Sequence, residues 1–519
     1  MTRKPALFII VLFFALLSAC TNKSQVPDGL PRSIPETEGV SSEGILNFLD
    51  AVEKSKHELH SFMFLRHGKV IAEGWWNPYR SDLKHTMYST SKSFTSTAIG
   101  FAVSENRLSV NDKVISFFPK DIPDTISPNL AALTVKDLLT MSVGQEPDPS
   151  FSIVSKDTNW IKAFLALPVK YKPGSKFLYN SMATYMLSAI VQKVTGEKVI
   201  DYLKPRLFEP LNIQGMDWET DPMGISTGGW GLRIKTEDMA KFGQLYLKKG
   251  KWNDMQVIPA EWIEEATSYK IDQAPNMPKE KKDLSEWTQG YCYQFWRCRH
   301  NAFRADGAYG QYIIMMPDQD AVVVLTSETS DMQREINLVW EYLLPAIKGD
   351  KLTENNDMVS VLNKRLESLA LPVIGKSSVS PLENTISGKT YSFAPNEKQI
   401  ETIDFQFQKS ECLVNLTIDS VAYKVAFGSG TWKLGETMKP GPSLFSKSNR
   451  DADILYPAKV AGNYAWKNDS TLELKLRYIE SPHSETILCR FSQDKIGVEL
   501  QNSNDFGSKK MELTGELKR

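Results

Sequence analysis

The chain has 519 residues, more than one comfortable core needs, and at ~100 to 200 residues per domain it should hold two to four folding units. Its 61 Lys and Arg against 62 Asp and Glu leave a formal charge of −1 with both signs interspersed. That balance supplies no basic stripe to hold a phosphate backbone, so nucleic acid is excluded as a partner.

Met1-Thr2-Arg3-Lys4 opens the chain with two cations, residues 6–17 are all apolar, and Ser18-Ala19-Cys20 is a run of small residues. This is the pattern of an export signal, too short for a membrane span. Leu17-Ser18-Ala19-Cys20 resembles the bacterial lipobox, which implies cleavage before Cys20 and lipid on that cysteine; Thr21 rather than Asp after it implies the outer membrane. Residues 1–20 are then a lipoprotein signal peptide, and residues 21–35, with three prolines and no periodicity, a tether. The expected product is an exported bacterial lipoprotein, anchored by lipid and facing the periplasm or the surface.

After the tether, Ser41 or Ser42 caps a helix in which Ile45, Phe48, Leu49 and Val52 repeat at helical spacing. His57 and His60, three apart on the same predicted helix and without a third ligand, read as solvated surface residues. Residues 62–66 and 69–76 flank His67-Gly68 and predict a hairpin. From about 80 to 270 the pattern is mainly helical, with apolar residues at three and four over 135–141, 183–194 and 238–248 and glycine stops at Gly196 and Gly250. Strand signals return at 291–297, 312–316 and 321–326, the last two joined by the turn sequence Pro317-Asp318-Gln319-Asp320. A helix carrying Ile336, Val339, Trp340 and Leu343 follows.

Strands at both ends of a segment with helices between most simply form one antiparallel sheet flanked by helices, an α+β domain over 36–350. Residues 351–382 are a helical connector and linker. From 383 to 519, short alternating runs such as Leu472-Glu473-Leu474-Lys475-Leu476 predict a small all-β barrel or sandwich. Besides Cys20, the cysteines are Cys292, Cys298, Cys412 and Cys489, in a compartment where disulfides persist. Their pairing is not legible, and no metal-spaced cluster occurs, so no cofactor is expected.

Three Ser-x-x-Lys tetrads occur, starting at Ser81, Ser89 and Ser492. Only Ser89-Thr90-Ser91-Lys92 heads a buried-looking helix, with Phe94, Thr97, Ala98, Phe101 and Ala102 behind it. Residues three apart share a helix face, so a desolvated Lys92 amine can give up its proton and serve Ser89, while the positive end of the helix dipole favours a developing alkoxide. Tyr179, in Pro173-Gly174-Ser175-Lys176-Phe177-Leu178-Tyr179-Asn180-Ser181, sits where an extended piece meets a helix and is a candidate second proton handler.

These segments resemble the serine hydrolases of the class C β-lactamase and penicillin-binding-protein group, which includes D-alanyl-D-alanine carboxypeptidases, esterases and 6-aminohexanoate-dimer hydrolases. The resemblance also rests on Leu133-Thr134-Val135-Lys136-Asp137-Leu138-Leu139-Thr140, on Gly228-Gly229-Trp230-Gly231-Leu232 with Asp238-Met239-Ala240-Lys241-Phe242-Gly243, and on Gly307-Ala308-Tyr309-Gly310-Gln311. It implies a β-lactamase/transpeptidase-like fold, Ser89 as acylated nucleophile, Lys92 as its activator and Tyr179 as proton shuttle. It also implies an oxyanion hole from the backbone N–H groups of Ser89 and Ala308, and substrate contacts at Ser181, Ala305 and Gly307.

The chain departs from the family at two places. Ser181 puts a hydroxyl where an amide usually meets substrate, and Ala305 replaces the Lys or His that grips a substrate carboxylate. Arg304 points to the opposite face of the strand and does not substitute. These departures favour a small ester or amide as substrate, with a β-lactamase or D-alanyl-D-alanine carboxypeptidase as the alternative and a non-turning-over ligand or cell-wall binding protein as the alternative of another class. The one Gly-x-Ser-x-Gly, at Gly224-Ile225-Ser226-Thr227-Gly228, lies in a glycine-rich loop rather than between a strand and a helix, so a Ser-His-Asp site there is disfavoured. The chain has only six histidines and none lies within a family motif, which favours a mechanism without one.

Overall fold

The computed structural model describes residues 29–375, 379–445, 451–507 and 510–518; the expected export signal and Cys20 lie outside them. Helix α1, Ser42–Ser55, is capped by Ser41, whose side chain accepts from the Gly44 N–H. Strands β1, Glu58–Arg66, and β2, Lys69–Trp75, form the predicted hairpin. Helices α2, Ser91–Ser104, α3, Ser181–Thr195, and α4, Thr236–Leu247, lie in the helical middle of the domain. The sheet is completed by β3, Trp296–Arg297, β4, Phe303–Gly307, β5, Gln311–Met316, and β6, Ala321–Glu328. Helix α5, Met332–Leu338, follows, and α6, Asn356–Glu367, leads out of the domain.

The six strands run in the order β2-β1-β6-β5-β4-β3, each pair antiparallel. Strand alternation sorts their side chains onto two faces. Met63, Leu65, Ile313, Met315, Val322 and Val324 share a core with Phe94 of α2 and Phe242 of α4. Phe62, Phe64, Tyr312, Ile314, Val323 and Leu325 pack with Ile45, Phe48 and Leu49 of α1 and Ile336 of α5. Helix α4 presses close on the sheet: a Cβ at Gly243 would stand 2.7 Å from both Ile313 and Val322 side-chain carbons.

Two expectations about this domain need correction. Helix α1 ends at Ser55 with Lys56 in the left-handed region, and His60 lies in β1. It is fully buried, stacked on Tyr79 with ring centroids 3.9 Å apart and hydrogen-bonded to His85 at 3.1 Å. The apolar strand run begins before Phe62, and it carries His60 inside. The strand expected over 291–297 shrinks to Trp296–Arg297, because Gln294 at φ 65° turns the chain and closes a Cys292 N–H to Phe295 carbonyl bond of 2.9 Å.

The C-terminal strands are β7, Thr390–Phe393; β8, Ile400–Gln408; β9, Glu411–Ile418; β10, Val421–Ser429; and β11, Lys433–Thr437. They continue as β12, Ala458–Asn468; β13, Thr471–Tyr478; β14, Ser484–Ser492; β15, Lys495–Asn502; and β16, Met511–Leu517. The order β10-β9-β8-β7-β16-β15-β14-β13-β12 closes through a parallel β10–β12 contact into a nine-strand barrel, with β11 on the remaining edge of β12. Closure removes most of the free strand edge, and Leu472, Leu474 and Leu476 point inward by the period of two. Of the two alternatives open from sequence, the barrel is observed.

Cys412 and Cys489 lie in the barrel core, Cys292 and Cys298 in the larger domain, and all four are buried free thiols. The barrel docks through the turn between β13 and β14. Arg477, fully buried, pairs with Glu58 of β1 by two hydrogen bonds, one of 2.9 Å, and the Tyr79 hydroxyl donates to the Ser481 carbonyl at 3.0 Å. Removing one partner of such a buried pair strands a charge and should weaken the docking strongly.

Candidate active site

Ser89 sits in a single tight turn, Tyr88–Thr90, that runs directly into α2. Every residue of α2 from Ser91 to Ala102 is buried, so the helix is a fixed platform inside the domain. Strand β4 reaches this turn because it ends in glycine: a Cβ on Gly307 would stand 2.3 Å from the Met87 carbonyl oxygen. The Thr90 hydroxyl donates to the Gln311 carbonyl at 2.9 Å, and Gln311 Nε2 donates to the Ala308 carbonyl at 3.1 Å. The turn before α2 and the turn after β4 are thereby locked together, and Ser89 and Ala308 are both partly exposed.

Lys92 lies one helical turn on, 2% exposed, with Nζ 3.0 Å from Ser89 Oγ, 3.1 Å from Ser181 Oγ and 2.6 Å from the Gly229 carbonyl. Burial lowers its pKa to about 7, against the opposing pull of the Asp148 and Asp306 carboxylates. As a neutral amine, Lys92 has two hydrogens for Gly229 and Ser181 and one lone pair left for the Ser89 hydroxyl.

Tyr179 stands over the same amine, its ring centroid 5.0 Å from Lys92 Nζ, with its hydroxyl close enough to Ser89 to feel it. Burial raises its hydroxyl well above the ordinary phenol value, the Ser89 contact pulling the other way. Its backbone is held at both sides: the Leu178 N–H donates to Met141 at 2.8 Å, and Asn180 caps α3 by accepting from the Ala183 N–H at 3.2 Å. The ring stacks on Trp296 at 5.7 Å and meets Tyr291 edge-on at 6.5 Å. These aromatic partners lie on the segment misread as a strand, and periodicity carries no sign of them.

The structure therefore brings Ser89, Lys92 and Tyr179 together, with Ala308 beside the turn. Three further positions expected against substrate are placed otherwise. Ser181, the first residue of α3, spends its hydroxyl on Lys92. Ala305 is fully buried in the apolar layer that contains Phe94 and Ile313, because strand alternation turns it toward the core. Gly307 serves close backbone packing. Arg304 is also unavailable: it bonds Asp306 at 2.8 Å and the Glu286 carbonyl at 3.0 Å, its guanidinium over the Trp287 and Trp296 rings. Ser226 is fully buried, and Ser81 and Ser492 are exposed on other parts of the surface.

A hydroxyl at a helix start, held against an amine that is deprotonated near neutral pH, is the apparatus of acyl transfer. Residues 53–344 match the Beta-lactamase family. The 6-aminohexanoate-dimer hydrolase of Paenarthrobacter ureafaciens is 23% identical over 289 residues, 52% of this chain and 73% of that protein. A putative D-alanyl-D-alanine carboxypeptidase of Escherichia coli is 27% identical over 142 residues, 25% of this chain and 33% of that one. Among solved structures, a putative 6-aminohexanoate-dimer hydrolase from Bacillus anthracis superposes with a TM-score of 0.50 at 22% identity, over 63% of this chain and 89% of its own. A putative β-lactamase from Bacteroides dorei gives 0.51 at 15% identity, over 59% and 99%. The protein is a serine hydrolase. The chain belongs to the Beta-lactamase family, and the family match ends before the barrel begins.

Proposed function

We propose that this chain hydrolyses an ester or small amide through an acyl-enzyme on Ser89. The observation that carries the reading is the 3.0 Å contact between Ser89 Oγ and a buried Lys92 amine whose pKa lies at about 7. Lys92 takes the Ser89 proton as the oxygen attacks the carbonyl carbon. The negative charge collects on the carbonyl oxygen, where the N–H groups of Ser89 and Ala308 receive it. Tyr179 passes a proton to the leaving group as the bond to it breaks, and water then repeats the sequence on the ester of Ser89. No metal or cofactor takes part in these steps.

Substrate preference follows from the missing cation. Ala305 is sealed in the core and Arg304 is occupied by Asp306, so neither grips a carboxylate such as that of a penicillin or a D-alanine terminus. A panel of p-nitrophenyl esters of increasing acyl length, run beside nitrocefin and a D-alanyl-D-alanine dipeptide, should show ester turnover exceeding both others by at least ~10²-fold in kcat/KM, the scale of a lost charged contact. Rapid nitrocefin turnover would contradict this weighting and restore the β-lactamase reading.

The proposed location is the outer membrane, with the enzyme facing the periplasm or the surface, reached through lipid on Cys20. Among the described residues no helix is long and apolar enough to cross a membrane. In cells, Cys20→Ala should move the protein from the membrane fraction to the soluble one and abolish incorporation of labelled fatty acid. Retention of both would show that the cysteine is not the anchor.

A further inference from the structure

The two amides assigned above to the oxyanion hole are each flanked by a tyrosine in the left-handed region. Tyr88, before Ser89, has φ 45°, and Tyr309, after Ala308, has φ 68°. L-residues avoid this region, and a bulky side chain persists there only where its surroundings over-determine it. The bracing comes from the barrel. His483, in the turn between β13 and β14, is fully buried, and its Nε2 meets the Tyr88 hydroxyl. Its ring lies edge-on to Tyr309, centroids 4.9 Å apart, while Tyr309 packs against Phe506.

Glu328, the last residue of β6, accepts from His483 Nδ1 at 2.6 Å and from the Ser503 hydroxyl at 2.8 Å. A carboxylate only accepts, so the imidazole carries a hydrogen on Nδ1, and in that neutral tautomer it presents Nε2 as an acceptor for Tyr88. The result is a chain of hydrogen bonds, Glu328 to His483 to Tyr88, that ends one residue from the nucleophile. It joins positions 155 and 395 residues apart in sequence.

We propose that the barrel completes the acyl-transfer site: His483, oriented by Glu328, is a positioning residue that holds Tyr88 and Tyr309 so that the Ser89 and Ala308 amides converge on the developing oxyanion. This rests on the assignment of Ser89 and Ala308 made above. Because the hole binds charge that develops in the transition state, loosening it lowers kcat rather than raising KM. Losing one oxyanion donor outright costs ~10² to 10³-fold, and misaligning both should cost about tenfold to a hundredfold.

The test uses the full chain, its thermal melt recorded for each variant. With a p-nitrophenyl ester, His483→Ala should lower kcat by about tenfold to a hundredfold with KM changed less than about threefold, and His483→Gln, which can still donate to Glu328 and accept from Tyr88, should recover much of the loss. The affinity of phenylboronic acid, whose tetrahedral adduct on Ser89 places an oxygen in the hole, should fall in parallel. Tyr88→Phe removes the shared hydrogen bond but leaves the His483 contact with Tyr309, so it should give part of the kcat loss, and the double variant should lose less than the product of the two single losses. Should His483→Ala fail to fold, Tyr88→Phe and His483→Gln carry the same predictions. Unchanged kcat and boronate affinity in folded Tyr88→Phe, or a His483→Ala loss confined to KM, overturns the proposal. Failure of wild-type Ser89 to take the boronate or a fluorophosphonate overturns the underlying assignment instead.

Discussion

Replacing Ser89 with alanine should lower ester turnover by about 10⁶-fold, the scale on which a covalent nucleophile is lost, and abolish labelling by a fluorophosphonate probe. The expectation is specific to this hydroxyl. Ser81 and Ser492, which also head Ser-x-x-Lys tetrads, are solvent-exposed outside the cleft, and Ser226 of the Gly-x-Ser-x-Gly loop is fully buried. Alanine at Ser81 or Ser226 should leave labelling at the wild-type level. Peptide mapping of the labelled protein checks both halves at once, since the adduct mass must travel with the peptide that contains Ser89. The fold should survive, because Ser89 Oγ makes its contacts only within the site.

The second large effect belongs to the proton handlers. Lys92→Ala removes the only amine within reach of Ser89 among the described residues, and should cost ~10² to 10⁴-fold in kcat/KM. It also leaves the Gly229 carbonyl and the Ser181 hydroxyl without their buried donor, so Lys92→Met, which keeps the packing volume, is the better kinetic variant. Tyr179→Phe preserves the stacking on Trp296 while deleting the hydroxyl, and should fall in the same range. Amide substrates should suffer more than p-nitrophenyl esters, because nitrophenolate leaves without a proton and an amine does not. Normal ester turnover by Lys92→Met would remove the lysine from the mechanism.

How much of this was legible beforehand varies with the range of the interactions involved. The platform of Ser89 and Lys92 is local: Phe94, Ala98 and Phe101 announce a buried helix, and three residues of spacing put hydroxyl and amine on one face. Tyr179 is semi-local, marked by the Pro173-Gly174 turn before it and the Asn180 cap after it. A single antiparallel sheet was expected from strand signals at both ends of the segment, whereas the order of its strands rests on the long-range β1–β6 pairing. The barrel followed from alternation alone, although closure over a sandwich did not, since it depends on the β10–β12 pairing between strands far apart in sequence.

The remainder was hidden because it is made of long-range contacts. His60 looked like a surface residue at the end of a helix, and only the β1 pairings to β2 and β6 reveal that it is enclosed. Ala305 and Ser181 were legible as departures from a family pattern, but their true neighbours, the core and Lys92, depend on which face of an element turns inward. His483 is the sharpest case: it carries no motif, lies outside the segment that matches the family, and reaches Tyr88 only because the barrel docks where Arg477 meets Glu58. The buried Arg304–Asp306 pair likewise explains why an arginine next to the expected cation position does not replace it.

The central claim is that Ser89 is made reactive by an amine that is uncharged near neutral pH, and the pH dependence of kcat/KM for a neutral p-nitrophenyl ester tests it most directly. Burial lowers the Lys92 pKa from its ordinary value to about 7, so the protonated, inactive form prevails below that pH and the free base above it. The rate should therefore rise with pH through a single limb centred at about 7 and reach a plateau well below the ordinary lysine range, and Lys92→Met should lose that limb. A wild-type profile that keeps climbing to pH 10, or one whose limb at 7 persists unchanged in Lys92→Met, would contradict the account.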